Sequence, residues 1–186
     1  MIEFEARFSL DRDLKEELFK LGFSFITKKK MADIIFEPKD WIPGTGLKKG
    51  YFVARIRLVE REKPRAEIKE YLDDMRWDES SFEILEPQKF VNFISKIMTP
   101  RRVIGKLRET WRKEGIEIAI DEVEKLGKFI EFEGEEKIVT QTISALGFDL
   151  KNKKPNYGSM LFYLEREGKI KFSMDEISKA LRTFAY

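Results

Sequence analysis

The sequence contains neither cysteine nor histidine. No disulfide can form, no Ser-His-Asp or Cys-His nucleophile can be assembled, and no zinc site can be built on thiolate or imidazole. Any metal must be held by oxygen, which favours hard cations such as magnesium, manganese or calcium. Acid and base work falls to carboxylates, lysine, tyrosine or metal-bound water. Also missing is an apolar run near the ~20 residues that a membrane-spanning helix needs. The N-terminus enters a charged stretch without the apolar core of a signal peptide, so the expected location is cytoplasmic and no membrane partner is expected. Charge of one sign is not in excess either. The 36 Lys and Arg face 34 Asp and Glu, a net of +2, which gives no global argument for nucleic acid as a partner. Electrostatic specialisation has to be local.

What is present is a chain of 186 residues, 42% hydrophobic and 13% aromatic, most simply one domain with a real core. Its first stretch alternates strictly. Glu3, Glu5 and Arg7 fall on one face of a strand, and Ile2, Phe4, Ala6 and Phe8 on the other. A single such strand is what any antiparallel sheet with one wet face shows. The pattern recurs, however. Arg55 and Arg57 oppose Ala54, Ile56 and Leu58; Lys106 and Arg108 oppose Val103 and Leu107; Glu131 and Glu133 oppose Ile130 and Phe132.

In chain order, Asp11-Arg12-Asp13 offers a cap to a helix at about 12 to 21, ended by Gly22. A strand over 23 to 36 follows, then a turn-rich loop from Pro38 to Gly50. Its Gly44 to Gly50 run lacks the spacing of a phosphate-binding loop and is read as a connection. Strands at 51 to 60 and 65 to 72, the second carrying Glu67 and Lys69 in phase, form a hairpin around Glu62-Lys63-Pro64. A less regular strand at 77 to 85 holds Glu79, Ser81 and Glu83 in phase. Pro87 opens a helix through about Met98 with an apolar stripe of Phe90, Phe93, Ile94 and Ile97. Strands at 101 to 112, 116 to 121 and 129 to 133 precede a helix at 135 to 146 and two short helices near 157 to 165 and 174 to 184. Trp41, Trp77 and Trp111 read as packing residues.

This order predicts an α+β fold. Two architectures fit: an open sheet with its charged face in water, or a barrel with a polar lumen and helices covering its apolar outside. Enclosing the basic set costs several kcal/mol per unpaired ion. Such a lumen therefore demands anions, which Glu3, Glu5, Glu131 and Glu133 supply, either as partners or as ligands of a divalent cation while the bases grip a polyanion.

The motifs resemble those of the CYTH superfamily, the triphosphate tunnel metalloenzymes. Glu3-Phe4-Glu5-Ala6-Arg7 is similar to that family's opening Glu-x-Glu-x-Lys, with arginine in place of the lysine. Asp33-Ile34-Ile35-Phe36, Ala54-Arg55-Ile56-Arg57, Lys69 and Lys106-Leu107-Arg108 resemble its later segments. The block from Ile120 to Glu133, with Leu126-Gly127 and Phe129-Ile130-Glu131-Phe132-Glu133, resembles its Asp-x-Val-x-x-Leu-Gly-x-Phe-x-Glu-x-Glu block, and Tyr157 onward its Ser-Tyr segment. The Arg-x-Glu-x-Glu strand of the family is echoed in part by Arg76, Glu79 and Glu83.

The resemblance runs over about 2 to 164, leaving a helical extension at about 172 to 186. It implies an eight-stranded antiparallel barrel forming a tunnel, with helices outside. By the same resemblance, Arg7, Arg55, Arg57, Lys69, Lys106 and Arg108 bind phosphate oxygens, while Glu3, Glu5, Asp121, Glu131 and Glu133 hold Mg2+ or Mn2+ or orient water. Because Arg7 stays protonated and cannot act as a base, Lys69, a carboxylate or metal-bound hydroxide is expected to serve that step. The implied activity is hydrolysis of tripolyphosphate, thiamine triphosphate or a nucleoside triphosphate. Cyclisation of ATP and binding without turnover are the alternatives.

Overall fold

The computed structural model describes residues 2–40 and 48–185, with side chains from Phe4 onward. Trp41, the Gly44 to Leu47 part of the glycine-rich run and the Glu3 side chain lie outside the described residues. Eight strands form the body: β1 (Ile2–Ser9), β2 (Ser24–Pro38), β3 (Phe52–Val59), β4 (Arg65–Asp73), β5 (Arg76–Glu83), β6 (Met98–Lys113), β7 (Ile116–Val123) and β8 (Gly127–Gly134). They close into a barrel in the order β1-β5-β4-β3-β2-β6-β7-β8, every neighbouring pair antiparallel. The barrel, not the open sheet, is the architecture adopted. An eight-stranded barrel is just wide enough to fill with side chains or hold one small ligand.

Closure rests on pairings distant in sequence. β1 joins β8 with Glu5 opposite Glu133 and Arg7 opposite Glu131, and β2 runs the length of β6 with shifts in register at two bulges. Local turns set the rest. In the β7–β8 turn Lys125 (φ 68°) and Gly127 (φ 100°) both occupy the left-handed region. A glycine is favoured at 127 because an L side chain resists that conformation.

Five helices cover the outside: α1 (Lys15–Lys20), α2 (Pro87–Ile94), α3 (Glu136–Ala145), α4 (Tyr157–Arg166) and α5 (Met174–Thr183). The outward residues of β1, β7 and β8, among them Phe4, Phe8, Ile118, Ile130 and Phe132, pack with Leu14 just before α1, with Leu18 of α1 and with Val139 and Ile143 of α3. On the far side Ile34, Ile56 and Leu58 meet Val91 and Ile94 of α2 and Ile177 and Ala180 of α5. The C-terminal helix is thus a packing element. Burying such side chains contributes roughly 1.5–3 kcal/mol apiece before the entropy cost of ordering them.

Two expectations need correction. The helix at Pro87 ends at Ile94 rather than near Met98, and Phe93 and Ile97 are 61% and 62% exposed. Phe90 and Ile94 of the expected stripe do pack against the barrel, and Val91 joins them there in place of Phe93 and Ile97. The first helix is also shorter than expected, although Asp13 still accepts the backbone N–H of Lys15 at 3.0 Å.

Candidate active site

Because a strand sends alternate residues to one side, the charged faces of all these strands point inward together. They line a cavity of about 310 Å³. All six basic residues expected to bind phosphate, Arg7, Arg55, Arg57, Lys69, Lys106 and Arg108, stand on its wall, as do Glu5, Glu131 and Glu133.

Few of these charges are left uncompensated. Arg108 donates to Asp121 through Nε (2.7 Å) and Nη2 (2.6 Å), and to Glu131 at 3.0 Å. Arg7 donates from Nε to Glu131 at 2.8 Å and from Nη2 to both Glu5 and Glu131. Lys69 bridges Glu5 (3.7 Å) and Glu79 (2.7 Å), and Glu79 reaches Arg55 at 3.3 Å. Arg55 continues to Glu67, while Arg57 forks onto Asp33 at 2.9 and 3.2 Å. The result is a belt of alternating charge around the lumen, which among the described residues is lined by seven basic and seven acidic side chains. The wall is therefore balanced rather than simply basic.

The electrostatics follow from burial against pairing. Burial alone would lower Arg7, Arg57 and Arg108, yet Glu131 and Glu5, Asp33, and Asp121 respectively raise them above the ordinary arginine value. Burial opposes the charge of Asp33, Asp121 and Glu131 too, and is outweighed: Arg57 with Arg55, Arg108 with Lys106, and Arg7 with Arg108 hold them below the carboxylate range. Lys106 differs. Burial and then repulsion from Arg108 outweigh Asp121 and Asp33, and its ammonium is pulled down to about 8.

Glu5, Glu131 and Glu133 each bring an oxygen within 4.8 Å of the others. Three carboxylates at this spacing suit a hard divalent cation. Asp121, expected with them by resemblance, stands outside this group. It is fully buried and accepts from Arg108, from Lys106 at 3.2 Å and from the Tyr157 hydroxyl at 3.0 Å.

Several residues of the lumen carry no site signal of their own in the sequence. Asp33, Glu67 and Glu79 stand out in the sequence only as motif members or by strand phase, yet they anchor Arg57 and Arg55. Their signal was that phase, shared with Arg57, Lys69 and Arg55 across β2, β3, β4 and β5. Tyr157 lays its ring 4.2 Å from the Arg7 guanidinium and 5.3 Å from the Lys106 ammonium. Glu37 and Arg102, in phase with Asp33 and Lys106, also reach the cavity. Arg76 and Glu83 do not belong to it. Arg76 pairs with Glu136 and Asp73, and Glu83 with Lys63, all on the exposed surface.

The CYTH domain model matches residues 1–146. A Methanocaldococcus jannaschii protein provisionally named an adenylate cyclase is 33% identical over 144 residues, covering 72% of this chain and 77% of its own. Among solved structures, the PH1012 protein of Pyrococcus horikoshii superposes with a TM-score of 0.73 at 22% identity, over 86% of this chain and 98% of its own. HpAC1 of Hippeastrum, a provisional adenylyl cyclase described with a dominant triphosphatase activity, superposes at 0.58 with 16% identity, over 91% and 97%. The domain match, the relative and the barrel's inward charge agree: the chain belongs to the CYTH domain family.

Proposed function

We propose that the protein is a divalent-metal-dependent triphosphatase whose lumen grips a triphosphate. The observation that carries this reading is the meeting, in one cavity, of six basic side chains with the Glu5, Glu131 and Glu133 oxygens. Phosphoryl transfer suits such a site because its catalysis is mostly positioning and charge neutralisation, for which neither histidine nor cysteine is required.

Glu5, Glu131 and Glu133 would hold Mg2+ or Mn2+, and the metal when bound would neutralise charge on the phosphates and make bound water a better nucleophile. Arg55, Arg57, Arg7, Lys106 and Arg108 bind phosphate oxygens by charge-assisted hydrogen bonds. Asp33, Glu67 and Asp121 hold those cations in place. Lys69, 3.7 Å from Glu5, stands beside the acidic group and orients the attacking water. Because bases and acids on the wall balance, a triphosphate brings more negative charge than the wall alone offsets. Metal and triphosphate are accordingly expected to bind cooperatively.

A second reading, cyclisation of ATP, is favoured by the provisional name of the 33% identical relative. The test is incubation with tripolyphosphate, thiamine triphosphate and nucleoside triphosphates in magnesium or manganese. Orthophosphate supports the hydrolase. Pyrophosphate with cyclic AMP identifies the cyclase, and saturable binding without product identifies a binding module; either outcome overturns the proposal.

A further inference from the structure

Three adjacent strands of the barrel share one inward sequence. Along β2 the lumenal residues run Asp33, Ile35, Glu37; backward along β3 and out of it, Arg55, Val53, Tyr51; backward along β6, Lys106, Ile104, Arg102. Each passes from the phosphate-gripping belt through a branched aliphatic residue to a polar one. At roughly 3.3 Å per residue, Glu37 lies about 13 Å of strand beyond Asp33. That end of the cavity is built differently from the belt.

Two of its polar residues, Glu37 and Arg102, each keep one atom outside any hydrogen bond among the described residues. Arg102 is 6% exposed and donates from Nη1 to the Gly158 carbonyl, yet its Nε is buried with no hydrogen-bond partner among the described residues. Glu37 is 7% exposed; its Oε2 lies 3.2 Å from Arg101 Nε as an ion pair but accepts no aligned hydrogen bond. Burial lifts Glu37 above the usual carboxylate range and lowers Arg102 below the usual arginine value. Glu37 and Arg102 offset one another, with help from Arg101 and Glu165, but less fully than burial opposes their charges, whereas in the belt pairing wins. The Phe162 ring lies 5.9 Å from the Arg102 guanidinium.

A fourth phosphate is a poor guest here, because a buried carboxylate repels it. A carboxylate and a guanidinium that line this end of the cavity, each with one polar atom outside any hydrogen bond, behind aliphatic walls and next to aromatic rings, suit a flat heterocycle that offers an N–H and an acceptor on one edge. The geometry points to a specificity site for the organic end of the substrate, formed by Glu37 and Arg102 with Tyr51 and Phe162, that selects an amine-bearing nucleobase over bare tripolyphosphate. Glu37 accepts from the exocyclic amine and Arg102 donates to a ring nitrogen or carbonyl. The inference rests on the triphosphate reading of the belt.

The experiment is calorimetric titration of the full chain in manganese with the β,γ-imido analogues of ATP, GTP and ITP and with diimidotriphosphate. The ATP or GTP analogue is expected to bind about tenfold or more tighter than diimidotriphosphate, as one or two hydrogen bonds to charged groups supply. Glu37→Gln and Arg102→Met each reduce that advantage to within about threefold while leaving diimidotriphosphate affinity in place, which also reports a folded belt. Arg102→Lys, which keeps the charge, serves as the milder variant. Diimidotriphosphate matching every nucleotide, or variants that weaken all ligands equally, overturns the specificity site alone. Failure of the wild type to bind any of these ligands overturns the triphosphate reading itself, and this inference with it.

Discussion

Arg7 Nε donates to Glu131 at 2.8 Å, across the β1–β8 seam that closes the barrel. The same guanidinium reaches Glu5, so one arginine engages two of the three carboxylates suited to a metal. On the proposed reading, a metal entering this group competes with Arg7 for Glu5 and Glu131, and a triphosphate offers the guanidinium a new partner.

Arg7→Lys tests that competition. A lysine is a single point charge without the guanidinium fork, and it frees at least one carboxylate oxygen. The manganese concentration for half-maximal turnover should fall several-fold and turnover should rise, with triphosphate affinity little changed. A higher manganese requirement would show that Arg7 organises the acidic group rather than competing for it.

Lys106 predicts a pH dependence. With its pKa lowered to about 8 in the free protein, it carries its charge below that pH and loses it above. Triphosphate affinity should therefore decline as pH rises from 7 to 9.5, and Lys106→Arg should flatten the decline. Stability moves the other way. Between about 8 and the ordinary lysine value of 10.5 the unfolded chain binds more protons, so the penalty for a buried Lys106 is full below 8 and is relieved as pH rises to 10.5. The difference in melting profile between wild type and Lys106→Met should shrink across that window, by on the order of a few kcal/mol. Parallel profiles would contradict it.

Asp121 separates anchoring from metal binding. Removing its charge leaves Arg108 and Lys106 buried and poorly compensated, at a cost of about 3–5 kcal/mol for a broken buried pair. Asp121→Asn should lower the urea midpoint with an unchanged slope and leave manganese affinity largely intact in the folded protein. Unchanged stability with lost metal affinity would return Asp121 to the metal group.

The charged phase of each strand was readable because period-two alternation needs no partner to be seen, and Glu5, Arg7, Arg55, Arg57, Lys106, Arg108, Glu131 and Glu133 all reach the lumen as that phase required. Barrel closure was not readable in the same way. Nothing local in β1 states that Arg7 will face Glu131 rather than water, since that depends on a register between strands more than a hundred residues apart. The same blindness hid the partners. Asp33 sits in an otherwise apolar segment, and its purpose appears only when β3 brings Arg57 beside it. Glu37 and Arg102 carried no motif at all; extending the phase of Asp33 and Lys106 outward would have found them.

Coupling between metal and triphosphate is a further consequence of the balanced wall. In chelator, diimidotriphosphate affinity should fall by about tenfold or more, and the ligand should tighten manganese binding by the same factor, since linkage is reciprocal. Equal affinity with and without metal would mean that the belt alone neutralises the ligand.

The central claim is tested most directly by a crystal structure of the protein with manganese and diimidotriphosphate, with anomalous scattering recorded for the metal. The account predicts manganese at about 2.0–2.3 Å from carboxylate oxygens of Glu5, Glu131 and Glu133, by the distances hard cations take, with phosphate oxygens on Arg55, Arg57 and Arg108 and Arg7 turned toward phosphate. Manganese bound away from these carboxylates, or the triphosphate analogue bound outside the barrel, would contradict it.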